Sequence, residues 1–311
     1  MCNSPRGDKV GSWIPLLIGL VVFFPSMRSR AADDAAAAKP IVSEKIDNDC
    51  VVEVLDIFRG SDGMLQVNWR YRNPTDQRAH VMSSDQARDL MEEVYVVDPA
   101  QKKKYSVAAV EPEKGKKPNR EDRLAAQISE TDLEPGASMI LWAKFLAPAE
   151  GTKEISLYLP NSPPLEDLAI QKRERAQVAA ASEGVPLAKE AHQSGAEIQV
   201  TRVRRSSDGT VEVRWRYANT GKSQISVLKS DDARDLAHDT YVMDPDAKTK
   251  YPVATDDRKQ PLAAKVSSTQ LGPGKSQDVW MKFAVPASAK RISLFLPGSL
   301  PVEDLPIAER K

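Results

Sequence analysis

One strand-like stretch occurs twice in this chain, and its duplication constrains the fold more than any other feature. Met64–Arg72 reads M-L-Q-V-N-W-R-Y-R, and Thr210–Ala218 reads T-V-E-V-R-W-R-Y-A. Apolar and polar residues alternate in both stretches, and successive side chains leave a β-strand on opposite sides. The alternation therefore predicts, in each copy, a strand with one buried face and one face in solvent.

The similarity continues outward from this strand over two segments of domain size. The shared runs are S-S-D-Q-A-R-D-L (Ser83–Leu90) and K-S-D-D-A-R-D-L (Lys229–Leu236), Y-V-V-D-P (Tyr95–Pro99) and Y-V-M-D-P (Tyr241–Pro245), W-A-K-F (Trp142–Phe145) and W-M-K-F (Trp280–Phe283), and I-S-L-Y-L-P (Ile155–Pro160) and I-S-L-F-L-P (Ile292–Pro297). Self-similarity on this scale indicates two tandem copies of one fold.

Turn residues divide each copy into short strand-like segments. In the first copy these turns are Asp62-Gly63, Asn73-Pro74, Asp98-Pro99 and Pro135-Gly136. Short strands at regular spacing with this punctuation predict an antiparallel β-sandwich. We therefore expect an all-β protein of two tandem sandwiches, with one large domain containing both copies as the alternative.

The N-terminal residues predict a signal peptide. Two basic residues precede the apolar run Trp13–Phe24, and Ser29–Ala31 offers small residues to a signal peptidase. As a helix the run would rise only about 18 Å, short of the roughly 30 Å hydrocarbon core of a bilayer. We expect export to the periplasm, cell envelope or exterior, although Arg28 after the run leaves an uncleaved anchor as the alternative.

These features give a predicted domain organisation. It comprises a signal peptide at 1–31, a flexible spacer at 32–45, a first sandwich at 46–170, a linker with helical potential at 171–194, and a second sandwich at 195–311.

Charge and cysteine content limit the classes of partner. Lys plus Arg and Asp plus Glu each total 44, so no net field draws the chain to nucleic acid. The basic loops around Lys102–Lys104 and Lys114–Lys117 are interpreted as solvated hairpin tips, with anionic polymer or lipid contact as the alternative.

Export would leave Cys50 as the single thiol. We expect it to be buried or idle, with an intermolecular disulfide as the alternative.

Catalytic motifs are absent from the sequence. The chain holds 3 histidines, none of them matched between the copies, and no nucleophile elbow, glycine-rich phosphate loop or paired cysteines. These observations predict a protein that is not an enzyme and has neither a cofactor nor a metal site.

A shared acidic cluster is the first candidate site. It comprises Asp85, Arg88, Asp89 and Asp98 in the first copy and Asp231, Arg234, Asp235 and Asp244 in the second. We interpret the arginines as binding neighbouring carboxylates in a structural clamp. Calcium binding is disfavoured because a fixed cation beside the carboxylates would repel the metal. A carboxylate-based hydrolase is a further alternative.

Two tryptophans with neighbouring lysines form the second candidate. Strand alternation directs Trp142 and Lys144, and equally Trp280 and Lys282, away from the core of their copy. An outward Trp beside a Lys could stack on a sugar, dock a partner or seal the two domains together. Burial in a core or between domains is the alternative to a binding surface.

Four motifs of the first copy carry a family resemblance. They are Y-V-V-D-P-x-x-x-K-K-Y (Tyr95–Tyr105), L-E-P-G (Leu133–Gly136), W-A-K-F (Trp142–Phe145) and I-S-L-Y-L-P-x-x-P-P-L-E-D-L-A-I (Ile155–Ile170). Each copy resembles the immunoglobulin-like β-sandwich modules of bacterial exported proteins and lipoproteins, which also occur beside outer-membrane-protein-A-like domains. The resemblance implies two tandem immunoglobulin-like sandwiches outside the cytoplasm, and it transfers no catalytic residue.

Together these observations predict a non-enzymatic adaptor or scaffold of the cell envelope, which contacts partners through sheet edges or through the Trp and Lys residues. Carbohydrate or cell-wall-polymer binding through the same residues is the alternative. The expected partner is an envelope protein or a wall polymer, with no nucleic acid. Membrane contact is expected only through an uncleaved N-terminal segment.

Overall fold

Antiparallel strands make up most of the computed structural model, which describes residues 39–83, 92–110, 122–126, 128, 131–172, 185–228, 230–267 and 269–309. For residues 230–234 it describes the backbone alone. The predicted signal peptide lies outside the described residues. Within them, no helix is both long and apolar enough to cross a bilayer.

The first copy folds into two packed sheets. One sheet has the order β1-β2-β3-β8, formed by Val42–Lys45, Val51–Arg59, Met64–Arg72 and Ser138–Leu146. The other has the order β10-β9-β5-β6, formed by Leu165–Ala169, Glu154–Tyr158, Tyr95–Asp98 and Lys103–Ser106. A short pair, β4 (Ala79–His80) with β7 (Asp132–Leu133), lies beside them.

The second copy repeats this topology. One sheet has the order β11-β12-β13-β18, formed by Ala188–Ala191, Glu197–Arg205, Val211–Ala218 and Ser276–Phe283. The other has the order β16-β15-β19-β20, formed by Thr249–Pro252, Tyr241–Asp244, Arg291–Phe295 and Val302–Pro306. The remaining elements are the pair β14 (Ile225–Leu228) with β17 (Thr269–Leu271) and a helix, α1 (Ser230–Asp239), over the shared A-R-D-L segment.

The predicted fold class of two tandem immunoglobulin-like β-sandwiches is confirmed. Each sandwich has its own apolar core, centred on the tryptophan and tyrosine of the duplicated strand. Trp69 and Tyr71 fill this place in the first core, and Trp215 and Tyr217 fill it in the second. Large aromatic side chains contribute most to such cores because each buries a large apolar area.

Two edge strands differ from the sequence prediction. β1 lies in the segment assigned to a flexible spacer, and β11 lies in the segment assigned to a linker. Their sequences, V-S-E-K and A-K-E-A, are too polar to show the alternation of a buried strand. They pair with β2 and β12 through the backbone, which needs no apolar side chain. The turn spacing of the first copy also predicts a short strand at 124–128, whose described residues instead form isolated bridges such as Ala125 to Ala143.

Cys50 is fully buried in the first core. Burial, helped by the charge of Asp49, raises the pKa of the thiol. A buried thiol with a raised pKa is a poor nucleophile, so the structure favours the idle thiol over the intermolecular disulfide.

His192 is buried in the second sandwich, although it lies in the segment predicted to be the linker. Its ring lies edge-on to Tyr217, with 5.3 Å between ring centroids, and its Nδ1 lies 2.8 Å from Oγ of Ser194. Burial lowers the pKa of His192 to about 4, and a hydrogen bond to the backbone of Pro297 offsets this only in part. The imidazole ring of His192 is therefore neutral in the folded protein at neutral pH.

We expect this histidine to make the protein sensitive to acid. The unfolded chain binds the proton at His192 near the ordinary pKa of 6.5, whereas the folded chain resists it down to about pH 4. Stability is therefore present above pH 6.5 and is lost as the pH falls through this range, by roughly 3 kcal/mol. Urea unfolding at pH 7 and pH 4 should show a smaller loss for His192→Gln than for wild type. His238→Gln, at an exposed position, should match wild type.

Candidate interaction surface

Trp142 and Lys144 lie on the outer face of β8, as the strand alternation predicts. Their neighbours Leu141, Ala143 and Phe145 point into the first core. Neither outward side chain is exposed, however, because the second sandwich covers this face. Trp142 keeps 3% of its surface accessible, and the Lys144 side chain keeps 1%. Trp142 and Lys144 therefore form a contact between the two sandwiches, which is the predicted alternative to a binding surface.

Aromatic rings form the apolar part of this contact. The rings of Trp142 and Phe295 are tilted at 45° with centroids 5.0 Å apart, and Phe295 stacks on Tyr241 at 4.6 Å. The cluster is completed by Met64, Ala108, Leu124 and Met243. We name the outer surface of β8 around Trp142 and Lys144 the Trp–Lys face. The surface that it contacts, around Tyr241 and Phe295 on the second sandwich, is named the aromatic face.

A buried ionic cluster stands beside the rings. Nζ of Lys144 lies 2.6 Å from Oδ2 of Asp62 and 2.7 Å from Oε1 of Glu303 in the second sandwich. Burial alone lowers the pKa of Lys144, but the carboxylates of Glu303 and Asp62 more than offset this, so the pKa is raised. Burying an unpaired charge costs several kcal/mol, which explains why the ammonium binds two carboxylates at once.

Gly60 and Ser61 complete the ionic cluster. Oγ of Ser61 donates a hydrogen bond to Oδ1 of Asp304 in the second sandwich, at 2.6 Å. A Cβ atom on Gly60 would lie only 2.7 Å from Oδ1 of Asp62, so a glycine leaves room for this carboxylate. The turn before β3 is thereby shaped to hold Asp62 against Lys144.

The second sandwich carries the same Trp–Lys face, and no other domain covers it within the part of the chain that the structure describes. Trp280 and Lys282 lie on the outer face of β18, since Val279, Met281 and Phe283 belong to the second core. Both outward side chains are half-buried, and the Lys282 side chain keeps 24% of its surface accessible. The remaining positions of this face are Asp208, Thr210, Ala254 and Leu262, which correspond to Asp62, Met64, Ala108 and Leu124.

The lysine of this second face retains half of the ionic cluster. Nζ of Lys282 lies 2.7 Å from Oδ2 of Asp208, which reproduces the pair of Lys144 with Asp62. Hydrogen bonds from Lys282 and Thr210 lower the pKa of Asp208, so this carboxylate is charged at neutral pH. Within the described residues Lys282 pairs with one carboxylate where Lys144 pairs with two.

The first sandwich carries a copy of the aromatic face that no described residues of the second sandwich cover. Tyr95 and Tyr158 stack with centroids 4.5 Å apart and 10° between their planes, as Tyr241 and Phe295 do in the second sandwich. A lysine lies over the first ring in both copies, Lys104 over Tyr95 at 3.7 Å and Lys250 over Tyr241 at 4.0 Å. Tyr95 and Tyr158 are half-buried, and Glu166, which corresponds to Glu303, is exposed.

The acidic cluster is described only in part. Asp85, Arg88 and Asp89 lie outside the described residues, and the side chains of Asp231 and Arg234 are likewise not described. Asp235 is half-buried and engaged with a partner. The predicted clamp therefore stays a prediction. Among the described residues, no group of three or more His, Cys, Asp or Glu side chains is placed to hold a metal ion.

Asp98 and Asp244 have a visible role in turns. Oδ1 of Asp98 accepts hydrogen bonds from the backbone N–H groups of Ala100 and Gln101, at 2.9 and 3.1 Å. Asp244 does the same for Asp246 and Ala247 at the same distances. A short carboxylate that binds the backbone two and three residues on is typical of an Asx turn.

Comparisons with known proteins add little. No family model and no curated protein matches the chain. A solved structure described as a chaperone–tip adhesin complex in CFA/I fimbriae biogenesis aligns at 11% identity over 82% of this chain and 99% of that one, with a TM-score of 0.16. The class 5 fimbriae chaperone CfaA aligns at 10% identity over the same shares, with a TM-score of 0.17. Alignments at such TM-scores carry no conclusion about this chain.

Proposed function

We propose that this chain is an exported, non-enzymatic protein that binds another protein through the Trp–Lys face of its second sandwich. The observation that supports the proposal is internal to the molecule. The equivalent face of the first sandwich holds a protein surface, with Trp142 against Phe295 and Lys144 against Glu303. Trp280 and Lys282 repeat these groups at the equivalent positions of β18 and remain half-buried.

The chemistry of this face suits a protein partner. Tryptophan is among the residues that contribute most to protein interfaces, because it buries a large area with few rotatable bonds. Lys282 offers a cation already oriented by Asp208, so a partner carboxylate can complete the arrangement seen at Lys144. The location proposed for this activity is the periplasm or cell envelope, on the basis of the predicted signal peptide.

The experiment is capture from solubilised cell envelope with tagged protein. We expect wild type to retain a partner that Trp280→Ser loses, because the substitution removes the ring and leaves the fold intact. Val185→Ser is the matched control, since Val185 is an exposed apolar residue that belongs to neither face. Equal capture by wild type and Trp280→Ser would contradict the proposal. Co-sedimentation with purified cell-wall polymer, lost in Trp280→Ser, would instead favour the carbohydrate alternative.

A further inference from the structure

We infer that the partner of the Trp–Lys face on the second sandwich is the aromatic face on the first sandwich of another copy of this chain. The inference rests on the proposed function and specifies its partner. Copies would then associate head to tail. Each contact between copies would join a Trp–Lys face to an aromatic face, as the internal contact does.

The internal contact shows that the two kinds of face fit each other. It joins the Trp–Lys face of one sandwich to the aromatic face of the next through the pairs Trp142 with Phe295 and Lys144 with Glu303. As far as the described residues show, one molecule therefore uses one face of each kind and leaves one of each kind uncovered. The uncovered pair would bring Trp280 to Tyr158 and Lys282 to Glu166, by direct correspondence of positions.

The two uncovered faces repeat the aromatic stack and the lysine–aspartate pair of the internal contact. The aromatic stack is preserved almost unchanged, at 4.5 Å between Tyr95 and Tyr158 against 4.6 Å between Tyr241 and Phe295. The lysine–aspartate pair is also preserved, at 2.7 Å for Lys282 and 2.6 Å for Lys144. What the second Trp–Lys face lacks, among described residues, is the carboxylate that a neighbouring sandwich supplies.

Charge is complementary between the uncovered faces. Glu166 and Asp167 are both exposed, and they correspond to Glu303 and Asp304, which bind Lys144 and Ser61 across the internal contact. In the second sandwich Arg291 binds Asp304 at 2.8 Å, whereas the first sandwich has Glu154 at that position. The uncovered aromatic face therefore keeps both carboxylates without the Arg291 that binds one of them in the second sandwich, which suits the cation of Lys282.

The positions of the faces determine how the association propagates. The Trp–Lys face is the outer side of one sheet, on β8 or β18. The aromatic face is the outer side of the opposite sheet, on β5 and β9 or on β15 and β19. A contact between two different surfaces is heterologous, so each added copy presents a new uncovered face of the same kind. We therefore expect a growing series of oligomers and no closed dimer.

The contact between copies should be weaker than the internal one. Thr210 replaces Met64, Val97 replaces Met243 and Tyr158 replaces Phe295, so the uncovered faces are less apolar. In the internal contact the two sandwiches are also covalently linked, which gives each an effective concentration in the millimolar range for the other. Reversible association at high protein concentration is the expected behaviour.

Sedimentation velocity of protein produced from the full sequence tests the inference, at concentrations up to about 1 mM. We expect the mean mass of wild type to rise with concentration beyond that of a dimer. Trp280→Ser and Tyr158→Ser should each associate at least about tenfold more weakly, because each loses an aromatic anchor. Val185→Ser should match wild type, and thermal unfolding should show that all variants are folded.

An equimolar mixture of the two face variants distinguishes head-to-tail association from other kinds. Trp280→Ser keeps its aromatic face and Tyr158→Ser keeps its Trp–Lys face, so the mixture should form a dimer and stop there. Wild type that stays monomeric throughout would overturn the inference, as would association that both variants leave unchanged. If wild type stays monomeric but still captures an envelope protein through Trp280, the proposed function stands and the inference about the partner fails.

Discussion

Replacing Lys144 with methionine is expected to lower the free energy of unfolding by about 3–5 kcal/mol, because it leaves the buried carboxylates of Asp62 and Glu303 without their cation. The matched control is Lys282→Met in the second sandwich, where the lysine is half-buried and pairs with Asp208 near solvent. That change should cost about 1 kcal/mol or less. Chemical denaturation of both variants measures the difference. Equal losses of unfolding free energy in the two variants would show that burial of the Lys144 cluster does not increase its contribution to stability.

The pH dependence of the same group is a second readout of that experiment. The folded state raises the pKa of Lys144 above its ordinary value of 10.5. Its contribution to stability is therefore complete below that value and is lost only as the pH rises through the folded pKa. Wild type should lose more stability than Lys144→Met in strongly alkaline solution, and the two should show the same pH dependence between pH 7 and pH 9.

Replacing Trp142 with alanine is expected to destabilise the contact between the sandwiches by about 3 kcal/mol or more, because it opens a cavity against Phe295 and Tyr241. Since each sandwich keeps its own core, we expect the calorimetric transition of wild type to separate into two steps. Trp280→Ala removes the equivalent ring from the half-buried face and should leave the transition nearly unchanged. A single transition with an unaltered midpoint in Trp142→Ala would contradict the assigned role of this ring.

Much of the fold could be predicted from the duplicated strand. The alternation in Met64–Arg72 places Trp69 and Tyr71 in the core, and the structure buries both. The same reasoning directs Trp142 out of the first core, which is also observed. What alternation cannot predict is whether an outward face meets water or another domain. Gln66 and Asn68, on the predicted solvent face of β3, are almost fully buried.

The difference between the two Trp–Lys faces was hidden by the repeat itself. W-A-K-F and W-M-K-F are nearly identical, and the groups that cover the first of them, Phe295 and Glu303, lie far along the chain. A local signal is Met64, an apolar residue at an outward position where the second copy has Thr210. The edge strands β1 and β11 cannot be predicted from apolar patterning either. Backbone hydrogen bonds hold them in the sheet, so their sequences need no alternation of apolar residues.

The polar edge strands β1 and β11 have a consequence for solubility. Each is four residues long and carries one lysine and one glutamate. Short, charged edges resist the addition of a foreign strand, which is the usual route from a β-sandwich to an insoluble aggregate. At these two edges the exposed backbone is therefore protected against pairing with the strands of neighbouring molecules.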